Sequence, residues 1–117
     1  MAISYSKQHI DQYDIKSVLR VLRSNFITQG PKIVEFETAL KKRFGSKFCR
    51  VVSSGTAALH LSALALGWKS KDIILTSPIT FLASVNAITY VGATVDLVDI
   101  NPVTYTIDVN KLEDMDL

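Results

Sequence analysis

Ser53-Ser54-Gly55-Thr56-Ala57-Ala58-Leu59 decides how the rest of the chain is read. It follows the apolar run 48–52, so a short strand-like segment turns at a glycine into strong helix formers. The first N–H groups of a helix have no partner inside it and carry the positive end of its dipole. A strand, a turn of small residues and a helix N-terminus therefore make an anion site, most often for phosphate. Ser53, Ser54 and Thr56 add hydroxyl groups, and Gly55 lets an anion approach the backbone. The same residues also suit an ordinary capped helix with Ser54 or Thr56 as the cap. The stretch is neither a Walker loop nor a dinucleotide fingerprint, so alone it leaves both readings open.

On either side the chain alternates helix and strand signals. Ile15, Val18, Leu19 and Leu22 recur at helical spacing and predict an amphipathic helix over about 12–24, with Lys16, Arg20 and Arg23 outside. Asn25, Gly30 and Pro31 mark a loop, and Pro31 suits the first turn of a second helix. In that helix Ile33, Phe36, Leu40 and Phe44 share a face. Glu35 and Glu37 come early and Lys41, Lys42 and Arg43 late, as the dipole favours, with Gly45 as the stop. Residues 48–52 read as a buried strand. Residues 56–66 read as a helix apolar all round, hence inside a larger body, stopped by Gly67. Strand 72–76, helix 81–91 ending at Gly92, strand 94–98, the Asn101-Pro102 turn and a helix from 109 to 117 follow.

The resulting βαβαβ order predicts parallel strands joined by right-handed crossovers, with ligands beyond the carboxyl ends of the strands. Three segments fall there: 53–57, 77–81 and 99–102. The second carries Thr80 and Phe81. Phe81 suits either stacking on a flat ring or core packing. A phosphate turn beside an aromatic platform suggests a flat phosphorylated cofactor.

Composition bounds the function. The 117 residues suffice for one domain with a core, and the net charge of +2 is nearly balanced. No Lys/Arg block or aromatic–basic interleaving points to nucleic acid. Cys49 stands alone, so no disulfide forms within the chain, which fits a reducing cytoplasm. Residues 1–11 lack the apolar centre of a signal peptide, and no run is long enough to span a membrane. The expectation is a soluble, cytoplasmic α/β protein.

These residues carry a family resemblance. Phe26-Ile27-Thr28-Gln29-Gly30-Pro31, Phe36-Glu37, Ser53-Ser54-Gly55-Thr56-Ala57-Ala58-Leu59-His60-Leu61 and Thr76-Ser77-Pro78-Ile79-Thr80-Phe81-Leu82-Ala83-Ser84 occur in order. Asn86-Ala87, Gly92-Ala93-Thr94 and Val98-Asp99-Ile100-Asn101-Pro102 follow. The ordered set resembles the N-terminal part of the DegT-type sugar aminotransferases, which use pyridoxal 5'-phosphate (PLP), and covers essentially the whole chain. The Thr-Gln-Gly-Pro and Thr-Ser-Pro-Ile-Thr-Phe wording is most similar to the subgroup that aminates C4 of a UDP-linked 4-keto-6-deoxy-N-acetylhexosamine on the route to pseudaminic acid.

The resemblance implies an α/β fold: the N-terminal part of the fold-type I aminotransferase large domain, a mostly parallel sheet with flanking helices. It implies a helix and active-site loop over 1–30 and a partial cofactor-binding domain over 31–117. Gly55, Thr56 and Ala57 match the turn that holds the cofactor phosphate, and Phe81 matches the aromatic on the pyridine ring. Thr28, Gln29 and Gly30 match a loop near the active site, often at a dimer interface, and Ser77 and Thr80 shape the pocket. Thr28, Gln29, Gly30 and Thr80 are thereby candidates for binding substrate. His60 is expected to be a packed or partly exposed helix residue, and Asp99 to shape the turn after its strand. Tyr105 and Asp108 are expected to position the following helix.

By the same resemblance the lysine that binds the cofactor covalently, and the acid that pairs with its ring nitrogen, lie beyond Leu117. Lys69 and Lys71 read as solvated loop residues and Lys111 as part of a surface helix, so no catalytic residue is expected in this chain and no metal is implied. The chain is then expected to be a piece of a longer, homodimeric enzyme, inactive alone, with apolar surface exposed. In its complete form the enzyme would bind a nucleotide sugar and an amino-acid donor, glutamate. A non-catalytic binding module and a PLP-dependent sugar dehydratase of the same family are the alternatives.

Overall fold

The structure is a computed structural model that describes residues 6–113 and 115. It divides into two units, Met1–Val51 and Val52–Leu117.

The first unit is built by helix ends rather than by a core. Helix α1 spans Gln12–Leu22. Asp11 caps it by accepting the N–H groups of Tyr13 at 2.7 Å and Asp14 at 3.0 Å. The Asp14 carboxylate in turn accepts the Asp11 N–H at 3.0 Å. This reciprocal capping box satisfies three otherwise orphaned donors. The helix stops two residues before the expected end, at Ser24, because the Ser24 N–H and hydroxyl both turn back to the Val21 carbonyl.

Helix α2 spans Pro31–Phe44, with proline in its first turn and Gly45 at φ 63° as its left-handed stop. Its last turn carries Lys41, Lys42 and Arg43, and Glu35 and Glu37 lie in its first half as expected, although no acidic residue falls in the first turn itself. None of the described residues 6–51 is buried.

Residues 48–52 correct an expectation. They form no strand, and Phe48 is 74% exposed. A strand is held by ladder bonds to a neighbour, and no described residue supplies one here. The Val51 N–H donates instead to Glu37 Oε1 at 3.0 Å.

The second unit holds α3 (Gly55–Leu66), β1 (Ile73–Thr76), α4 (Leu82–Tyr90), β2 (Thr94–Leu97) and α5 (Val109–Glu113). Strands β1 and β2 pair in parallel, Ile73 opposite Thr94 through Thr76 opposite Leu97. The ladder continues at both ends, Thr94 N–H to the Asp72 carbonyl and Val98 N–H to the Thr76 carbonyl, each at 2.9 Å. The sheet therefore has two strands among the described residues, not three. Parallel strands need a crossover, and α4 provides it, lying against both strands and against α3.

The core lies where these elements meet: Ala63 from α3, Ala83, Ala87 and Ile88 from α4, and Ala93 and Val98 around β2. Four of these six are alanines, which lets backbones approach closely. Outside that seam α3 buries nothing. Leu59, Leu61, Leu64 and Leu66 are 44–68% exposed, so the apolar surface expected of this chain is present. Gly67 ends α3 at φ 76°, a conformation glycine adopts without a Cβ clash, and the N–H groups of Gly67 and Trp68 close onto the Leu64 and Ala63 carbonyls.

After β2 the chain makes the turn expected at Asn101-Pro102, closed by a bridge that the sequence reading lacked. Ile100 and Ile107 form an antiparallel bridge. Asn101 Oδ1 accepts the N–H groups of Val103 and Thr104, and Tyr105 stands at φ 58°. Asp108 Oδ1 then accepts the Asn110 N–H at 3.1 Å and opens α5. The expected continuation of this helix to 117 falls, from 114 on, outside the described residues except for Met115. Among the described residues no helix is long and apolar enough to cross a membrane.

Ile88 is 3% exposed at the meeting of α4, α3 and the sheet. Ile88→Ala should therefore cost about 2–5 kcal/mol in urea denaturation, the range for deleting a buried isoleucine to alanine. The same change at Ile10, 61% exposed, should cost less than about 0.5 kcal/mol.

Candidate functional site

The turn 53–57 folds as a capped helix start. Ser54 has extended backbone, and its Oγ accepts the Ala57 N–H at 3.1 Å, while its carbonyl accepts the Ala58 N–H at 3.0 Å. Ser54, not Thr56, is the cap. Gly55 opens the helix, one residue earlier than expected. The cap leaves the N–H groups of Gly55 and Thr56 without an acceptor among the described residues, at the positive end of a twelve-residue helix. Nothing lies within 4 Å of where a Gly55 Cβ would stand, so that side of the helix start is open.

The second segment begins where β1 ends. Ser77 Oγ accepts the Ile79 N–H at 3.2 Å and shapes the turn that carries Thr80 and Phe81. The Thr80 hydroxyl donates to Ser84 Oγ at 3.2 Å. Phe81 is the cap position of α4 without a side-chain cap bond, and it is 78% exposed. It lies outside the core of the described residues.

The helix start and the aromatic meet. Gly55, Thr56, Ala58, Leu59, Phe81 and Ala83 line one open depression of about 460 Å³. Gly55, Thr56 and Phe81, singled out separately in the sequence, are brought together here. Ala57 is not on the wall, and its N–H is held by Ser54. Ala58, Leu59 and Ala83 were missed as lining residues. Ala58 and Leu59, three and four residues after Gly55, signal only a shared helix face, and Ala83, two after Phe81, signals nothing without knowing that the two helices adjoin.

Thr28, Gln29 and Gly30 lie in the first unit, on the loop between α1 and α2. Gln29 stands at φ 50°, and a Cβ on Gly30 would come within 2.8 Å of Phe26 Cβ, so the loop requires glycine there.

His60 is half-buried and packs edge-on to Tyr90, with ring centroids 5.3 Å apart and planes at 65°. Lys69 and Lys71 are exposed loop residues. Asp99, at the end of β2, is paired with Lys111 of α5 at 2.7 Å. The lysine's hydrogen bond, the Ile100 N–H and the lysine's charge together hold the Asp99 carboxyl below its ordinary value, and the hydrogen bond to Asp99 raises Lys111. Both are explained as a tie between the strand end and α5. Among the described residues no cluster of His, Cys, Asp and Glu is placed to hold a metal.

An open helix start beside an exposed ring that follows the carboxyl end of a parallel strand belongs to an α/β protein. Comparison with known proteins narrows the class. The DegT/DnrJ/EryC1/StrS aminotransferase family matches residues 8–115, and the chain belongs to that family. It is 46% identical over 111 residues to the UDP-4-amino-4,6-dideoxy-N-acetyl-beta-L-altrosamine transaminase of Campylobacter jejuni subsp. jejuni serotype O:23/36, covering 95% of this chain and 29% of that protein.

Among solved structures, Spr1654 of Streptococcus pneumoniae in its PLP form is similar at TM-score 0.85 and 36% identity, over 96% of this chain and 29% of that one. PseC of Helicobacter pylori, an aminotransferase involved in the biosynthesis of pseudoaminic acid, is similar at TM-score 0.84 and 35% identity, over 96% and 30%. A GDP-4-keto-6-deoxymannose-3-dehydratase is similar at TM-score 0.85 and 28% identity, over 99% and 32%. The chain thus spans under a third of the length of these proteins, and over that length its fold is theirs, the α/β fold of the PLP-dependent aminotransferases.

The Asp99–Lys111 tie has a defined pH window. Asp99, lowered from 3.8, contributes stability above its ordinary value that is lost as pH falls through the lowered one. Lys111, raised from 10.5, contributes below that value and loses it as pH rises through the raised one. Lys111→Met should move the Asp99 carboxyl titration, followed by carbon NMR, up towards 3.8. An unmoved titration would show that the pair does not form in solution.

Proposed function

We propose that this chain supplies the phosphate turn and the ring platform of a PLP-dependent nucleotide-sugar aminotransferase. The observation that carries the reading is the depression shared by Gly55, Thr56 and Phe81. Its residues fit the cofactor: two unpartnered N–H groups at a helix N-terminus suit a phosphate, and an exposed aromatic beside them suits a pyridine ring. When bound, PLP supplies the electron sink through which an amino group moves between amino acid and keto sugar.

This chain's own residues then hold and orient. Gly55 and Thr56 donate N–H groups to the phosphate, and Ala57 completes the positively polarised turn while its N–H stays with Ser54. Phe81 would hold the pyridine ring by stacking. Thr80 and, on the loop of the first unit, Thr28, Gln29 and Gly30 are proposed to meet the substrate. None of the residues lining the depression is a lysine, so the covalent lysine is assigned to none of them.

The substrate proposed is the 4-keto group of a UDP-linked 4-keto-6-deoxy-N-acetylhexosamine, with glutamate as donor, on the route to pseudaminic acid. The names of the Campylobacter relative and of the Helicobacter structure support it. A cytoplasmic homodimer is the proposed working form, with a helix and active-site loop over 1–30 and a cofactor-binding part over 31–117. A second reading, a PLP-dependent sugar dehydratase, is supported by the likeness to the GDP-4-keto-6-deoxymannose-3-dehydratase. Incubating the full-length enzyme with PLP, glutamate and the UDP-4-keto sugar separates the two: amino sugar with 2-oxoglutarate supports transamination, and a deoxygenated keto sugar supports dehydration.

Within that enzyme Phe81→Ala should weaken PLP retention by on the order of 1 kcal/mol, or about fivefold in Kd, by spectroscopic titration of the apoenzyme. Unchanged affinity would remove Phe81 from the site.

A further inference from the structure

The loop between α1 and α2 is held from both ends although its residues are exposed. Ser24 follows Arg23, the C-terminal cap of α1. Its hydroxyl donates to the Val21 carbonyl at 2.7 Å, with the Phe26 carbonyl at 3.2 Å as a second acceptor. The same oxygen accepts the Phe26 N–H at 3.3 Å. One hydroxyl thus ties the last turn of the helix to Phe26, the local side-chain-to-backbone bonding that serine favours in turns.

Phe26 also meets the other end of the loop. A Cβ at position 30 would stand 2.8 Å from Phe26 Cβ and 3.2 Å from its carbonyl oxygen, so the chain returns onto the residue that Ser24 holds, closer than a side chain at Gly30 permits. From there the chain is committed to α2: the Gly30 carbonyl accepts the Ile33 N–H at 3.2 Å, and Pro31 fixes its own φ.

Thr28 and Gln29 stand between these two holds. Gln29 is at φ 50°, which a residue with a side chain keeps only where its surroundings impose it. Both residues are exposed, and among the described residues neither side chain makes a hydrogen bond. Polar side chains on a loop held in this way are preorganised, because a ligand that meets them does not bear the cost of ordering the loop.

We infer that Ser24 is a positioning residue for nucleotide-sugar binding: through Phe26 it holds the loop that presents Thr28 and Gln29. The inference rests on the proposed substrate role of that loop. Ser24 touches no ligand in it.

The test uses the full-length enzyme loaded with PLP and given no amino donor, so that the UDP-linked 4-keto sugar binds without turnover. Its Kd is read by calorimetry, and KM, kcat and PLP affinity are read separately. Ser24→Ala should weaken sugar binding about three- to tenfold in Kd and KM, the worth of a hydrogen bond. PLP affinity, and kcat at saturating sugar, should change less than about twofold, since only substrate binding is touched. Ser24→Thr keeps the hydroxyl and should restore Kd and KM. Gly30→Ala, which brings a Cβ against Phe26 from the other end, should weaken Kd as well, and it carries the test should Ser24→Ala not fold. Thr28→Ala and Gln29→Ala check the substrate role of the loop by themselves.

Unchanged Kd in Ser24→Ala or in Gly30→Ala overturns the inference. So does an equal fall in PLP affinity or kcat, which marks general damage, and so does failure of Ser24→Thr to restore binding. Unchanged Kd in both Thr28→Ala and Gln29→Ala, or a wild-type enzyme that does not bind the sugar, overturns the proposed substrate role and this inference with it. A Kd weakened in Gln29→Ala but not in Ser24→Ala overturns the inference alone.

Discussion

Parallel pairing of β1 with β2 is the constraint on which the second unit depends. Two parallel strands cannot be joined by a tight turn, so the chain leaving Thr76 must cross back before it reaches Thr94. α4 makes that crossing, and its buried face, Ala83, Ala87 and Ile88, has to be small where α3 lies against it. The crossing also starts at the carboxyl end of β1. Phe81 is left exposed at the head of α4, beside the head of α3, and the two helix starts line one depression. The site follows from the connection rule rather than from any strong local preference of its residues.

The first unit follows a different physics. With no buried residue among 6–51, its helices rest on local satisfaction of their ends: the Asp11–Asp14 capping box, Pro31 at the first turn of α2, Gly45 at the stop, and the Glu37 carboxylate on Val51. Such interactions fix geometry at each end, but each is modest on the scale of a core. The capped turn at Ser54 uses the same device, and there it leaves two N–H groups facing outwards.

Helices were the most legible part of the chain because their signals are local. Pro31, Gly45, Gly67 and Gly92 punctuate them within a residue or two of the observed ends. Residues 48–52 were misread, because an apolar run states a preference for burial and not the presence of a partner strand. The Ile100–Ile107 bridge was invisible for a related reason, since it depends on Tyr105 holding a positive φ that Asn101 and its turn impose. At the site, Gly55 and Thr56 were marked by the glycine between hydroxyl residues and the helix that follows. Phe81 was marked only as an aromatic that suited two roles, and in the structure it stands exposed rather than in the core.

The sequence by itself determined the order of the helices and of the two paired strands, the capped helix start at 53–57 and the family resemblance, because caps, glycines and periodicity act over a few neighbouring residues. The tertiary structure decided that Phe81 stands in the open beside Gly55 and Thr56, that Asp99 is tied to Lys111, and that Glu37 reaches Val51. Each of these joins residues well separated along the chain. Which of many compatible side chains meets which is set by the crossover and by the course of the connecting segments, and not by the local pattern of either partner.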